Sequence, residues 1–179
     1  IMDKRISNSF VKSEIKLIEM DRLKFGYNNE NIFINDFSFK LNSVGFVGII
    51  GRSGTGKSSL IDLLLKLIEP ISGSVKINGL KYDYELARSV FAYVPQEVHL
   101  SDSSIVENIV LGNIGVTKDD NLIKESYMLA GLNDLINSLP KKVNSQIGEN
   151  GSLLSGGQRK RLGLARAIYS QKPILILDE

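Results

Sequence analysis

The stretch "GRSGTGKSS", Gly51–Ser59, restricts the possible folds more than any other part of the chain. It fits G-x-x-x-x-G-K-[ST] at every fixed position. A nearly continuous apolar run, "VGFVGII" (Val44–Ile50), precedes it and reads as a strand buried on both faces. After it comes "KSSLIDLLLKLI", with Leu60, Leu63, Leu64, Leu67 and Ile68 at helical spacing, stopped by Pro70. Glycines in such a strand–loop–helix unit let main-chain N–H groups curl around a phosphate, and the helix start adds partial positive charge. The nucleotide contacts are accordingly assigned to Gly51, Arg52, Ser53, Gly54, Thr55, Gly56, Lys57, Ser58 and Ser59. Lys57 is placed to bridge the β- and γ-phosphates, and Ser58 to put its hydroxyl on Mg²⁺.

The rest of the chain reads as strands and helices around that unit. Residues 1–13 are mixed and polar and are assigned to a linker. "IKLIEM", "RLKFGY" and "FSFKL", between Ile15 and Leu41, are short alternating runs, with "NNEN" and "IND" as turns between them. They predict an antiparallel sheet. "GSVKING", "SVFAYVPQ" and Pro173–Leu177 read as further strands, the last of them buried. From about Ser103 to Leu139 the pattern is helical, with Asp and Asn at caps. The fold class is therefore α/β: a mainly parallel core, an N-terminal antiparallel β-subdomain and an inserted α-helical subdomain. The boundaries are a core of 14–97 and 163–179 and an insert of about 98–162, with the chain expected to be incomplete at its C-terminus.

Bulk properties exclude several classes. Cysteine is absent, which removes disulfides and Cys-ligated zinc. A formal net charge of +2 gives no global field for nucleic acid, so the basic run Arg159–Arg161 reads as a solvated helix face. No apolar run approaches the length of a membrane-spanning helix.

Two more segments carry chemistry. "ILILDE" puts Asp178 and Glu179 at the tip of an apolar strand. Asp178 is assigned to Mg²⁺, directly or through water, and Glu179 to polarising an attacking water. The second segment is "LLSGGQ". Ser155 is a good N-cap, and Gly156 and Gly157 permit close approach at a helix start, which makes a second anion-binding helix end. Because the helical insert separates the two ends, two chains set head to tail are expected, each supplying Leu154, Ser155, Gly156, Gly157 and Gln158 to the other's ATP.

In its order of phosphate loop, "VPQE", "LSGGQ" and "ILILDE", the chain resembles the nucleotide-binding domain of ATP-binding-cassette (ABC) transporters from about Ile15 to Glu179. That resemblance implies a P-loop (RecA-like) ATPase core. It further implies that Gln96 touches Mg²⁺ and the attacking water, and that Tyr27 stacks on adenine. "QIGENG" (Gln146–Gly151) is similar to a segment of the exporter branch, with Glu149 facing the membrane subunit. The family's later loop and switch histidine, which follow the acids of "ILILDE", are not in this sequence. His99 cannot be that switch and is expected near the coupling groove, and the chain alone is expected to be a poor ATPase. The resemblance implies ATP and Mg²⁺ as cofactors, and as partners a second cassette, identical or not, and a transmembrane domain fused upstream, at the cytoplasmic face of a membrane. An exporter or a flippase for lipid-linked saccharides is expected. The alternatives are a soluble ABC ATPase acting on ribosome or DNA, and a non-hydrolytic module in which ATP only drives dimerisation.

Overall fold

The alternating segments at the start of the chain form an antiparallel sheet, as their period predicts. The computed structural model describes residues 15–26, 31–42, 45–112 and 118–178. Tyr27 and Glu179, two of the assigned site residues, lie outside the described residues, as do residues 1–13. Contacts divide the chain into two compact units, Ile1–Val90 and Phe91–Glu179.

In the first unit the sheet order is β2-β1-β3-β4, with β1 at Leu17–Gly26, β2 at Ile32–Asn42, β3 at Ser72–Ile77 and β4 at Leu80–Lys81. "IKLIEM" and "RLKFGY" are one strand rather than two, and "IND" lies inside β2 instead of forming a turn. Both supposed breaks are irregularities in the pairing. Arg22 in β1 has φ 45 and Asp36 in β2 has φ 55, and the β1–β2 register shifts beside each. Each is an extra residue that bends the ladder without ending it. The buried face carries Ile18, Met20, Leu23 and Phe25 of β1 with Val75 and Ile77 of β3.

Helix α1, Lys57–Leu64, ends earlier than its apolar spacing predicts. Lys66 adopts φ 58, its N–H donates to Leu63 O at 3.3 Å, and the Leu67 N–H donates to Asp62 O at 2.9 Å. That pair of bonds is a Schellman end, and it leaves Leu67 outside the helix and more than half exposed. The expected strand Val44–Ile50 is a second correction. Residues 45–50 pair with no strand among the described residues, and Phe46 and Ile50 are fully exposed. An apolar run becomes a buried strand only when neighbouring strands satisfy both its edges. Helix α2, Tyr84–Val90, closes the unit.

In the second unit β5, Phe91–Val94, pairs in parallel with β6, Ile174–Leu177, in the register Phe91↔Ile174 to Val94↔Leu177. β6 is half-buried, with Leu175 and Leu177 exposed, and not buried on both faces as its composition predicts. The helical stretch forms where expected: α3 at Ile105–Val110, α4 at Asp120–Leu129 and α5 at Asn133–Ser138. Asp119 caps α4, accepting from Asn121 N and Leu122 N. Ser104 caps α3 through a reciprocal box with Glu107. Helix α6, Gly156–Tyr169, places Leu162 and Ala165 in one apolar cluster with Ile105, Ile109, Ile123, Leu132, Ile136 and Ile147.

Ile109 is fully buried at the centre of that cluster. Ile109→Ala is expected to lower the stability of this unit by about 2–5 kcal/mol, read from urea unfolding. A loss under about 1 kcal/mol would place Ile109 outside the core.

Candidate functional site

Main-chain amides at helix starts are the material of two candidate sites, one in each unit, at α1 and at α6. At α1 the N-cap is Gly56, with φ 90 and ψ 16, and no side chain caps the helix. A Cβ at Gly56 would lie 2.7 Å from Phe33 Cδ2 and 3.3 Å from Ile34 Cγ1, so β2 seats the loop and only glycine fits there. Lys57 folds back over the loop, its Nζ donating to Gly51 O and Arg52 O, each at 2.9 Å. The Thr55 hydroxyl also donates to Arg52 O, at 2.8 Å. Ser58 is exposed and Ser59 is buried beneath it. The loop thus gathers an ammonium, a hydroxyl and first-turn amides at one helix end, a donor set that fits a polyphosphate.

At α6, Ser155 accepts from Gln158 N at 3.2 Å and the Gln158 Oε1 accepts from Ser155 N at 2.8 Å. The Leu154 side chain is buried, anchoring the turn, and Arg159 Nη1 donates to Leu154 O at 2.7 Å. Gly156 and Gly157 are exposed, and a Cβ on Gly157 would meet nothing within 4 Å. The N–H groups at these first two helical positions have no acceptor inside the helix.

The parallel pair β5–β6 brings two further residues to one edge. Val94 pairs with Leu177, so Pro95-Gln96 and Asp178 leave the sheet at the same, C-terminal end. Asp178 N donates to Val94 O at 3.0 Å, and the Tyr93 hydroxyl donates to Asp178 Oδ2 at 3.0 Å. Tyr93 is a partner that sequence reasoning missed; its only signal was an aromatic inside a strand. Gln96 is exposed and lines a cleft of about 530 Å³ with Glu97, His99, Glu149, Arg159 and Lys160. His99 and Glu149 are thus on one surface with the Gln96 segment. Asn150 reinforces it, its Oδ1 accepting from Leu100 N at 3.2 Å. Arg161 donates to Gly131 O at 3.1 Å, and Arg166 donates to Asn108 O and His99 O.

Residues 34–179 match the family model described as ABC transporter, and the chain belongs to that family. It is 40% identical over 169 residues to a putative export ATP-binding/permease protein of Rickettsia felis, a match covering 90% of this chain. It is 41% identical over 149 residues, 82% of this chain, to an ATP-dependent lipid A-core flippase of Bordetella avium. The chain spans only 29% and 25% of those two proteins. Its fold superposes on a bacterial Atm1-family ABC exporter solved with ATP bound, with TM-score 0.85, 30% identity and coverage of 92% of this chain and 29% of that one. The α/β fold class read from the sequence is that of this family.

Gly56→Ala puts a methyl against Phe33 in a left-handed conformation that costs an L-residue about 1–2 kcal/mol. Fluorescent-nucleotide titration of the full-length protein is expected to show affinity lowered about tenfold or more. Wild-type affinity in this variant would show that the Gly56 geometry is not the binding geometry.

Proposed function

We propose that the chain is the ATP-binding and ATP-hydrolysing motor domain of a membrane exporter or lipid flippase, working as a head-to-tail pair of cassettes. The observation that carries this reading is the helix start at Gly56–Ser59, with Lys57 folded over the loop and no side-chain cap of its own. The export and flippase names of the Rickettsia and Bordetella relatives support export or flipping over action on ribosome or DNA.

In this reading the first-turn amides of α1 and the Lys57 ammonium hold the β- and γ-phosphates, and Tyr27 stacks on adenine. Ser58 and Asp178 would hold Mg²⁺, with Gln96 beside it. Mg²⁺, when bound, supplies neutralisation of charge on the phosphate oxygens. Tyr93 fixes the Asp178 carboxylate by occupying one of its oxygens. Glu179 takes the proton of the attacking water or orients it for in-line displacement. The Ser155 hydroxyl and the Gly156 and Gly157 amides of the second cassette close over the γ-phosphate. An identical chain supplies that cassette in the simplest, two-fold arrangement.

The cleft lined by Gln96, His99 and Glu149 receives the membrane domain, so that closure of the pair pulls on it. Among the described residues no helix is long and apolar enough to cross a membrane. The membrane domain would then lie elsewhere in the whole protein, upstream by resemblance, with this cassette at the cytoplasmic face. A phosphate-release assay on the full-length protein separates this reading from a module in which ATP only drives dimerisation.

Two substitutions in the full-length protein test the roles. Glu179→Gln should lower kcat about 10²–10⁴-fold while ATP affinity is kept and a stable pair accumulates on gel filtration with ATP. Unchanged turnover would remove Glu179 as the base. Lys57→Ala removes a hydrogen-bonding charge of roughly 1.5–3 kcal/mol and should weaken ATP binding about tenfold to a hundredfold. Retention of full affinity would contradict the assignment.

A further inference from the structure

Arg166 is a cation held by neutral groups. It lies ten residues along α6 from Gly156, the residue that starts the helix. Its Nε donates to Asn108 O at 2.9 Å, its Nη1 to His99 O at 3.1 Å and its Nη2 to Asn108 Oδ1 at 3.3 Å. It forms no ion pair among the described residues, and burial draws its pKa down from the ordinary value. The guanidinium is partly buried against neutral oxygens with no opposite charge, so ion pairing is not what holds it there.

Its partners are themselves fixed. Asn108 is completely buried. Its Nδ2 donates to Ser101 O, Ser103 Oγ and Ser104 O at 3.0–3.1 Å, and its Oδ1 also accepts from Ser101 N at 3.0 Å. One turn before Arg166, α6 carries Gly163, where a Cβ would sit 2.7 and 2.8 Å from the two Cγ atoms of Val98. Thus a single face of α6 grips two consecutive residues, Val98 by shape and His99 by its carbonyl. Those residues follow Gln96 directly but for Glu97.

We propose that Arg166 is a positioning residue that locks the Gln96 segment to the helix presenting the Ser155–Gly157 turn. Three donors of a planar fork reach oxygens on two separate stretches of chain, which a flexible ammonium cannot reproduce. With the clamp closed, the segment carrying Gln96 and the turn at the start of α6 move as one body. Without it, the segment that follows Gln96 loses its hydrogen bond to α6 at the His99 carbonyl. Arg166 touches neither nucleotide nor water in this scheme; it acts through the placement of Gln96.

The inference rests on the ATPase reading above, and the experiment separates their failures. Steady-state ATP turnover is measured on the full-length protein in lipid nanodiscs, per mole of folded, nucleotide-binding protein. Arg166→Lys keeps the charge and loses the fork. Gly163→Ala leaves Arg166 in place and displaces Val98. Each is expected to lower kcat about tenfold or more, as misplacement of a reacting group does. KM for ATP is expected to stay within about twofold, since the phosphate loop is untouched.

Wild-type kcat per folded molecule in both variants overturns the proposal, as does a raised KM with kcat unchanged. Should Arg166→Lys fail to fold, Gly163→Ala decides; failure of both to fold assigns the contact to stability and overturns it too. Absence of turnover in the wild-type protein removes the ATPase reading first, and this inference with it.

Discussion

A helix cannot satisfy the N–H groups of its own first turn, and each unit of the chain prepares one such turn in its own way. At α1 no side chain serves as cap. The N-cap is a left-handed glycine pressed against Phe33. At α6 the Ser155–Gln158 box consumes one amide and leaves those of Gly156 and Gly157. The first arrangement suits tight, many-point grip on a polyphosphate. The second keeps its helix end ordered by the chain's own Ser155 and Gln158 side chains. The glycines that look like poor helix formers in "LSGGQRK" are thus explained by the capping box, which supplies locally the order that two glycines withhold.

What could be read from sequence divides by the range of the forces involved. The capping residues Ser155 and Asp119 and the helical stretch depend on neighbours within a few positions, and each stands where the sequence puts it. Strands were legible by period, but their ends were not. The polar break at Asp36 looked like a turn because bulges and turns use the same left-handed backbone. The end of α1 was misjudged because Pro70 is a visible stop, whereas a lysine at φ 58 is not a residue one expects at a C-terminal cap. Its side chain gives a local reason: Lys66 Nζ pairs with Glu69 at 3.2 Å and lies 5.6 Å from the Tyr82 ring centroid.

The largest mismatch, residues 45–50, is of the opposite kind. Its composition is that of a buried strand, but burial of a strand is a property of its neighbours, and hydrophobicity supplies none of the hydrogen bonds its edges require. The same reasoning applies in mild form to β6, which pairs with β5 and still exposes Leu175 and Leu177. Asp178 was legible as an acid at a strand tip. That Tyr93 would hold it was not, because the partner is 85 positions away and only the parallel register of β5 and β6 brings them together.

Arg166 was legible only as a charge on a helix, and the natural guess for a charge is an opposite charge. Neutral oxygens hold it instead, and the physical difference matters. An ion pair is strong in one direction and tolerant of small shifts, because Coulomb attraction falls slowly with distance. A fork of hydrogen bonds to fixed carbonyls is weaker in total and far stricter in geometry, because each bond decays steeply with angle. The oxygens of His99 and Asn108 fix the orientation of the Arg166 fork. Gly163 makes the same choice in apolar form, giving up a side chain so that Val98 can approach the helix axis. Two unrelated means of fixing position, set one helical turn apart, act on the same two residues just beyond Gln96. That coincidence is the expected mark of a segment whose place, rather than whose stability, is under constraint.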